Sequence, residues 1–383
     1  MHLVDQPQVS TPPRSSRLAY LDWLRGITVL VMIEAHTFDA WTLASERARP
    51  MFGRLMVLGG MAAPLFLFLA GVAAALAASA QIDRGRSAGE AARRVERRGW
   101  QLFLLAFLFR LQSFVLGGFS RPATLLKVDI LNVMGPAIAC TAALWGSVST
   151  RRARAVVLTT ATLVLLGISP WIRTTPLLAA LPDPIEWYIR PPAGQGTFTI
   201  FPWAGFVLAG GVLGVALDGA RSAGWSTWRL QASIAAAGLA LVLAGDWAGR
   251  RPILFPGATF WGTSPAYFAI RTGLILLLVF AAWAWSERPW RRAASLSPLV
   301  TLGVGSLFVY WVHVELVYGF AGRPLRHRLT LEQCAVAWAG FSLAMYALLL
   351  SWNASRPTRH WLREEAAKLF KSGSWTPTPL ANR

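Results

Sequence analysis

Apolar runs of about 20 residues, the length that carries an α-helix across a hydrocarbon layer of about 30 Å, recur along this chain with little sequence between them. Inside a bilayer every backbone N–H and C=O must be satisfied internally, so only helices and closed barrels can span it. Barrel strands would alternate apolar and polar residues over segments of about ten, and these runs do not. The fold class is therefore all-α, a polytopic transmembrane helical bundle of about ten spans. They are expected at 25–43, 55–80, 99–118, 128–148, 155–173, 198–218, 230–248, 265–285, 297–320 and 331–352. Composition agrees. With 55% hydrophobic residues, 14% charged residues and a mean hydropathy of +0.45, too little polar sequence remains to cover a sizeable soluble domain.

A net charge of +19 would point to nucleic acid in a soluble protein. Here the basic residues cluster at Arg84–Arg98, Arg151–Arg154, Arg288–Arg292 and Arg356–Lys371, all on one side when the spans are counted. That bias places both termini in the cytoplasm, although Arg323, Arg326 and Arg328 lie on the opposite side. Anionic membrane lipid, not nucleic acid, is the expected partner of the clusters. Residues 1–17 read as a polar cytoplasmic N-terminal segment without the apolar core or cleavage site of a signal peptide, so the first span should be an uncleaved anchor. Residues 18–355 form the transmembrane domain, and 356–383 a basic cytoplasmic tail, helical over Arg359–Lys371. Cys140 and Cys334 lie in or beside apolar spans and offer neither a disulfide framework nor a zinc site, so no metal is expected.

Ionisable groups inside a bilayer are costly, and each asks for a reason. The first span holds the most. Arg25 and His36 are eleven residues apart, which at 100° per residue is within about 20° of three full turns, so they share a face about 16 Å apart along the axis. Asp39, three residues beyond His36, is its neighbour on that face. An arginine alone can snorkel and a histidine alone can be a satisfied interior group, but three costly groups on one stripe favour a shared function. Glu34 points away from the stripe and receives no role. Elsewhere Arg110 and Gln112 in the third span, Asp129 and Asn132 at the fourth, and Arg271 in the eighth read first as hydrogen bonds between helices. In the ninth, Tyr310 and His313 can share a face while Glu315 cannot join them. Gly210 and Gly214 make a small-xxx-small pair suited to close helix contact. The loops at 174–197 and 250–264 carry carboxylates, arginines and aromatic rings that suit a sugar, or serve as ordinary interfacial anchors.

The run Leu21-Asp22-Trp23-Leu24-Arg25-Gly26 followed by His36 resembles the opening of polytopic membrane acyltransferases, where the acyltransferase-3 type has arginine, ten residues, then histidine. The rest of the chain resembles a sister group, bacterial proteins similar to the catalytic domain of heparan-alpha-glucosaminide N-acetyltransferase. The stretches that carry this likeness are Ala63-Pro64-Leu65-Phe66-Leu67-Phe68-Leu69-Ala70-Gly71, Asp129-Ile130-Leu131-Asn132-Val133-Met134-Gly135, Phe201-Pro202-Trp203-Ala204-Gly205 and Ser306-Leu307-Phe308-Val309-Tyr310-Trp311-Val312-His313. The resemblance implies transfer of an acyl group, acetyl foremost, from cytosolic acyl-CoA to a hydroxyl or amine of a glycan or envelope component on the periplasmic or extracellular side of a bacterial inner membrane. Acetyl-CoA or another acyl-CoA would be a co-substrate, with no permanently bound cofactor; a homodimer is left open. One departure matters. The lysosomal enzyme has asparagine where this chain has His36, and its catalytic histidine further on, whereas here no histidine follows His36 until His313. Amino-sugar specificity is therefore not carried over.

On this reading Arg25 holds the donor's phosphates at the cytoplasmic mouth while the thioester reaches His36. His36 is the general base, or forms a transient acyl-histidine, and Asp39 orients it. Arg110 and Arg271 are further candidates for the donor, and Asp129, Asn132 and His313 for support of the site. The competing class is a non-enzymatic carrier or permease whose buried Arg, His and Asp line a path. Carriers tend to show paired interrupted spans, and no such symmetry is visible in the sequence. A structural partner of envelope-building machinery with a degenerate site would have no reason to keep three desolvated charges.

Overall fold

The computed structural model describes residues 18–119, 122–191, 198–251, 262–287 and 297–355. Among them the chain forms α1 (Ala19–Trp41), α2 (Pro50–Gly59), α3 (Ala62–Ile82), α4 (Ala88–Leu116), α5 (Ile130–Gly146) and α6 (Arg151–Thr174). A short α7 (Asp183–Glu186) precedes α8 (Ile200–Ser222), α9 (Thr227–Gly249), α10 (Pro265–Ser286), α11 (Pro298–Val304), α12 (Ser306–Tyr318) and α13 (Leu331–Ala354). Segments 1–17 and 356–383, with the expected tail helix, lie outside the described residues.

Among the described residues eight helical segments, counting α2–α3 as one, are long and apolar enough to cross a membrane, or nine with the bent pair α11–α12, against the ten expected; α1 is not among them. The expected first span, α1, is 23 residues long and carries Asp22, Arg25, Glu34 and Asp39. It packs centrally, with Val29 and Ile33 fully buried. Two expected spans are interrupted. The second breaks at Gly60 and Met61 between α2 and α3, and the ninth turns by 83° around Gly305.

Helix starts follow local chemistry. Ser87 and Glu90 form a capping box at α4, and Thr330 and Gln333 form another at α13. Close crossings follow small residues, as expected in a bilayer. A Cβ on Gly210 would overlap the Phe68 carbonyl, and Gly214 sits against Ala75, so α8 lies directly on α3. Gly26 and Gly303 play the same part between α1 and α11. At the end where α1 finishes, Leu43 N–H donates to Leu329 O (2.8 Å) and His327 N–H to Ala40 O (3.1 Å), tying the two connecting segments together. That tie holds α12 and α13 beside the last turns of α1.

Candidate functional site

A cavity of 1490 Å³ runs through the bundle between α1, α3, α4, α5 and α12. At the end where α1 begins, Arg25, Arg94 and Arg98 line it. Arg25 is held by Asp22, Nη1 to Oδ1 at 3.2 Å. Arg94 and Arg98 are one turn apart on α4, in a stretch ahead of its apolar segment. The sequence presented them as part of an interfacial basic cluster; their i,i+4 spacing was the signal that both would face one way. Small residues of α3, Ala70, Ala73, Ala74 and Ala77, also line it. His36, Asp39, Arg110, Asp129, Tyr310 and Tyr318 line the other half.

His36 reaches the cavity from α1 and touches His313 of α12 behind it. His36 Nδ1 and His313 Nε2 are 2.9 Å apart, and the two rings lie nearly parallel, at 11° with centroids 5.0 Å apart. His313 is fully buried, and its Nδ1 is 2.8 Å from Val309 O. A carbonyl oxygen can only accept, so hydrogen-bond logic assigns the His313 proton to Nδ1 and leaves Nε2 as an acceptor. His36 then donates from Nδ1, and its Nε2 keeps a free lone pair. The Tyr318 ring packs edge-on against His36 at 5.5 Å.

The expected pairing of His36 with Asp39 is not made. Asp39 is half-exposed at the last turn of α1; its Oδ2 accepts from Tyr318 Oη (3.0 Å) and its Oδ1 lies 3.7 Å from Arg47. Shared helical face brought the two residues near each other, but His36 turns toward α12 and Asp39 toward the connecting segments. Asp39 therefore reaches His36 only through Tyr318. Glu34 does not line the cavity; it lies beside Gly59.

Three of the remaining candidates meet at one carboxylate or its cap. Asp129 Oδ2 accepts from Arg110 Nη2 (2.8 Å) and its Oδ1 from Tyr310 Oη (2.5 Å). The same Asp129 caps α5, accepting from Ile130 N–H, while Asn132 Oδ1 accepts from Asp129 N–H at 2.9 Å. Asn132 does not line the cavity; its Nδ2 donates to Tyr188 Oη at 3.2 Å. Burial of Tyr188, in the connection before α8, pushes its phenol above the ordinary value, partly offset by that hydrogen bond. Arg110 retains a buried Nε–H with no hydrogen-bond partner. Next to this group, Trp311 Nε1 donates to Gln112 (2.8 Å) and Ser113 Oγ to Glu315 (2.5 Å), so α4 and α12 face each other through polar side chains.

Arg271 stands outside the cavity. Its Nη1 donates to Gly60 O (2.5 Å) and its guanidinium covers the Tyr267 ring at 4.3 Å. The break between α2 and α3 frees the Gly60 carbonyl, and Arg271 satisfies it. Among the described residues no group of three or more His, Cys, Asp or Glu is placed to hold a metal ion.

The family model described as heparan-alpha-glucosaminide N-acetyltransferase, catalytic, matches residues 17–248 of the chain. The match covers α1 through almost all of α9, and so includes Arg25, His36, Asp39, Arg94, Arg110 and Asp129; Tyr310 and His313 lie beyond it. No curated protein matches significantly.

Proposed function

The chain belongs to the heparan-alpha-glucosaminide N-acetyltransferase catalytic family, a family of membrane acetyltransferases, and from that premise we propose that it passes an acetyl group from cytosolic acetyl-CoA to a glycan or envelope acceptor on the periplasmic face of a bacterial inner membrane. The observation that carries this reading is one continuous cavity joining three arginines at one end to a histidine with a free ring nitrogen at the other. The basic clusters assign the arginine end to the cytoplasm.

Arg25, Arg94 and Arg98 suit the phosphates of the donor, since guanidinium groups bind phosphate oxygens in bidentate fashion. The alanine wall of α3 leaves room for a thin apolar arm, and the rise from Arg25 to His36 is about 16 Å. His36 Nε2 accepts the proton of the acceptor hydroxyl or amine as it attacks the thioester carbonyl. A bond from acceptor to acyl carbon forms, the carbon–sulfur bond breaks, and the proton passes from His36 to the CoA thiolate. His313 fixes the tautomer: with Val309 holding its Nδ1–H, only its Nε2 can face His36, which keeps the His36 lone pair in the cavity. Arg110, which lines the cavity while paired with Asp129, is a cation for the developing oxyanion. A carrier would call for paired interrupted helices; among the described residues one pair, α11–α12, is bent by more than 40°.

Acetyl-CoA binding to the purified chain, measured by calorimetry for wild type, Arg25→Ala and His36→Ala, tests the proposal. Weakened binding in Arg25→Ala with nearly intact binding in His36→Ala is expected. A folded wild type that binds neither acetyl-CoA nor longer acyl-CoAs would overturn it in favour of the carrier.

A further inference from the structure

We propose that Tyr310 is a positioning residue of the transfer step, fixing Arg110 relative to His36 around the acyl group; this rests on the transfer reading above. The base and the oxyanion cation must act on one thioester, and a misplacement of about 1 Å can cost about 100-fold in rate. Yet the two stand on different helices, His36 on α1 and Arg110 on α4.

A continuous chain of contacts joins them through Tyr310. The Tyr310 hydroxyl donates to Asp129 Oδ1 at 2.5 Å, and the other carboxylate oxygen accepts from Arg110 Nη2 at 2.8 Å. On its other side the Tyr310 ring meets His313 edge to face, with centroids 6.0 Å apart. His313 Nε2 in turn lies 2.9 Å from His36 Nδ1. Tyr310, Asp129, Arg110 and His36 all line the cavity.

Each link is itself held. Asp129 caps α5: its Oδ1 also accepts from Ile130 N–H, and its own N–H donates to Asn132 Oδ1 at 2.9 Å. The Tyr310 ring leans on Phe109, the neighbour of Arg110 on α4, with centroids 5.9 Å apart. His313 is tied to Val309 O one turn back. Tyr310 and His313, three residues apart, act from one face of α12. The hydroxyl is what ties the α5 carboxylate to α12; a phenylalanine would keep the ring contacts and lose only that tie. The charge of Asp129 also acts on His36, ahead of that of Asp39. The carboxylate that Tyr310 orients therefore bears on both reacting groups.

The test uses the full chain in phosphatidylcholine nanodiscs with bromoacetyl-CoA, which needs no acceptor. His36 Nε2 displaces bromide from the carbon beside the thioester carbonyl: a carbon–nitrogen bond forms, the carbon–bromine bond breaks, and the Nδ1 proton leaves to water. Peptide mass spectrometry gives the limiting rate of His36 alkylation and the half-saturating probe concentration. Tyr310→Phe should lower the limiting rate about 10-fold or more, with half-saturation and thermal midpoint at the wild-type values. Asp129→Asn, which cuts the same link from α5, should lower the rate likewise. In an Arg110→Gln background, where no cation is left to aim, adding Tyr310→Phe should change the rate by less than about 2-fold. An unchanged rate in Tyr310→Phe, the same loss with and without Arg110, or probe binding weakened as much as labelling would overturn the inference, while labelling of His36 in wild type keeps the transfer reading. A folded wild type that does not bind the probe, or binds it without labelling His36, removes the transfer reading, and the positioning role falls with it.

Discussion

His36 Nδ1 lies 2.9 Å from His313 Nε2, although 277 residues separate the two. The contact joins the first helix to the twelfth, and it replaces the histidine–carboxylate pair that the stripe on α1 alone implies. Removing His313 should slow transfer without weakening donor binding. We expect His313→Ala to lower kcat about 10²-fold, within the range of general-base effects, with acetyl-CoA affinity unchanged. His313→Gln, whose amide oxygen can accept from His36 Nδ1, should recover part of the loss. A His313→Ala enzyme as active as wild type, with the same pH profile, would remove His313 from the mechanism.

Asp39 supplies the contrasting case. Its carboxylate contacts Tyr318 and Arg47, not His36. Asp39→Asn should therefore change kcat by less than about 10-fold, well short of the loss seen when a carboxylate fixes a catalytic imidazole. A loss of 10³-fold or more would mean that the two residues pair during turnover.

Most of the spans and the common face of Arg25 and His36 were legible in the sequence, because hydrophobic length and helical period are local properties; the number was not, since about ten were expected and eight or nine helical segments qualify. His313 was visible only as a neighbour of Tyr310, since its partner depends on how α12 meets α1 after the bend at Gly305. Arg94 and Arg98 were hidden for another reason. A basic run before an apolar stretch looks the same whether it faces headgroups or a cavity mouth. Arg271 kept two readings open, because a buried arginine that serves a broken helix carries the same sequence signal as one that serves a ligand; its hydrogen bond to Gly60 O fits the first, a bond between helices.

The arginine mouth predicts a donor preference that a phosphate-free analogue exposes. Arg94→Ala and Arg98→Ala should each weaken acetyl-CoA about 10-fold or more, as loss of a charge-assisted hydrogen bond does, less whatever solvent screening removes. S-acetylpantetheine, which lacks the nucleotide phosphates, should bind wild type and both variants alike. If its affinity falls in parallel with that of acetyl-CoA, the arginines hold the bundle together instead of the donor.

Ala73 and Ala77 separate shape from charge. Both are exposed beside α3, line the cavity, and lie four residues apart on one face. A phenylalanine at Ala73 adds bulk where no core contact opposes it, so the thermal midpoint should stay near that of wild type. The passage itself would narrow. Ala73→Phe should therefore reduce acetyl-CoA binding and transfer together, while leaving every arginine and both histidines in place. Free adenosine 3′,5′-bisphosphate, which needs only the arginine mouth, should bind the variant as it binds wild type. Loss of both ligands would indicate that the mouth had been disturbed, and retention of both would mean that the acyl arm takes a different route to His36.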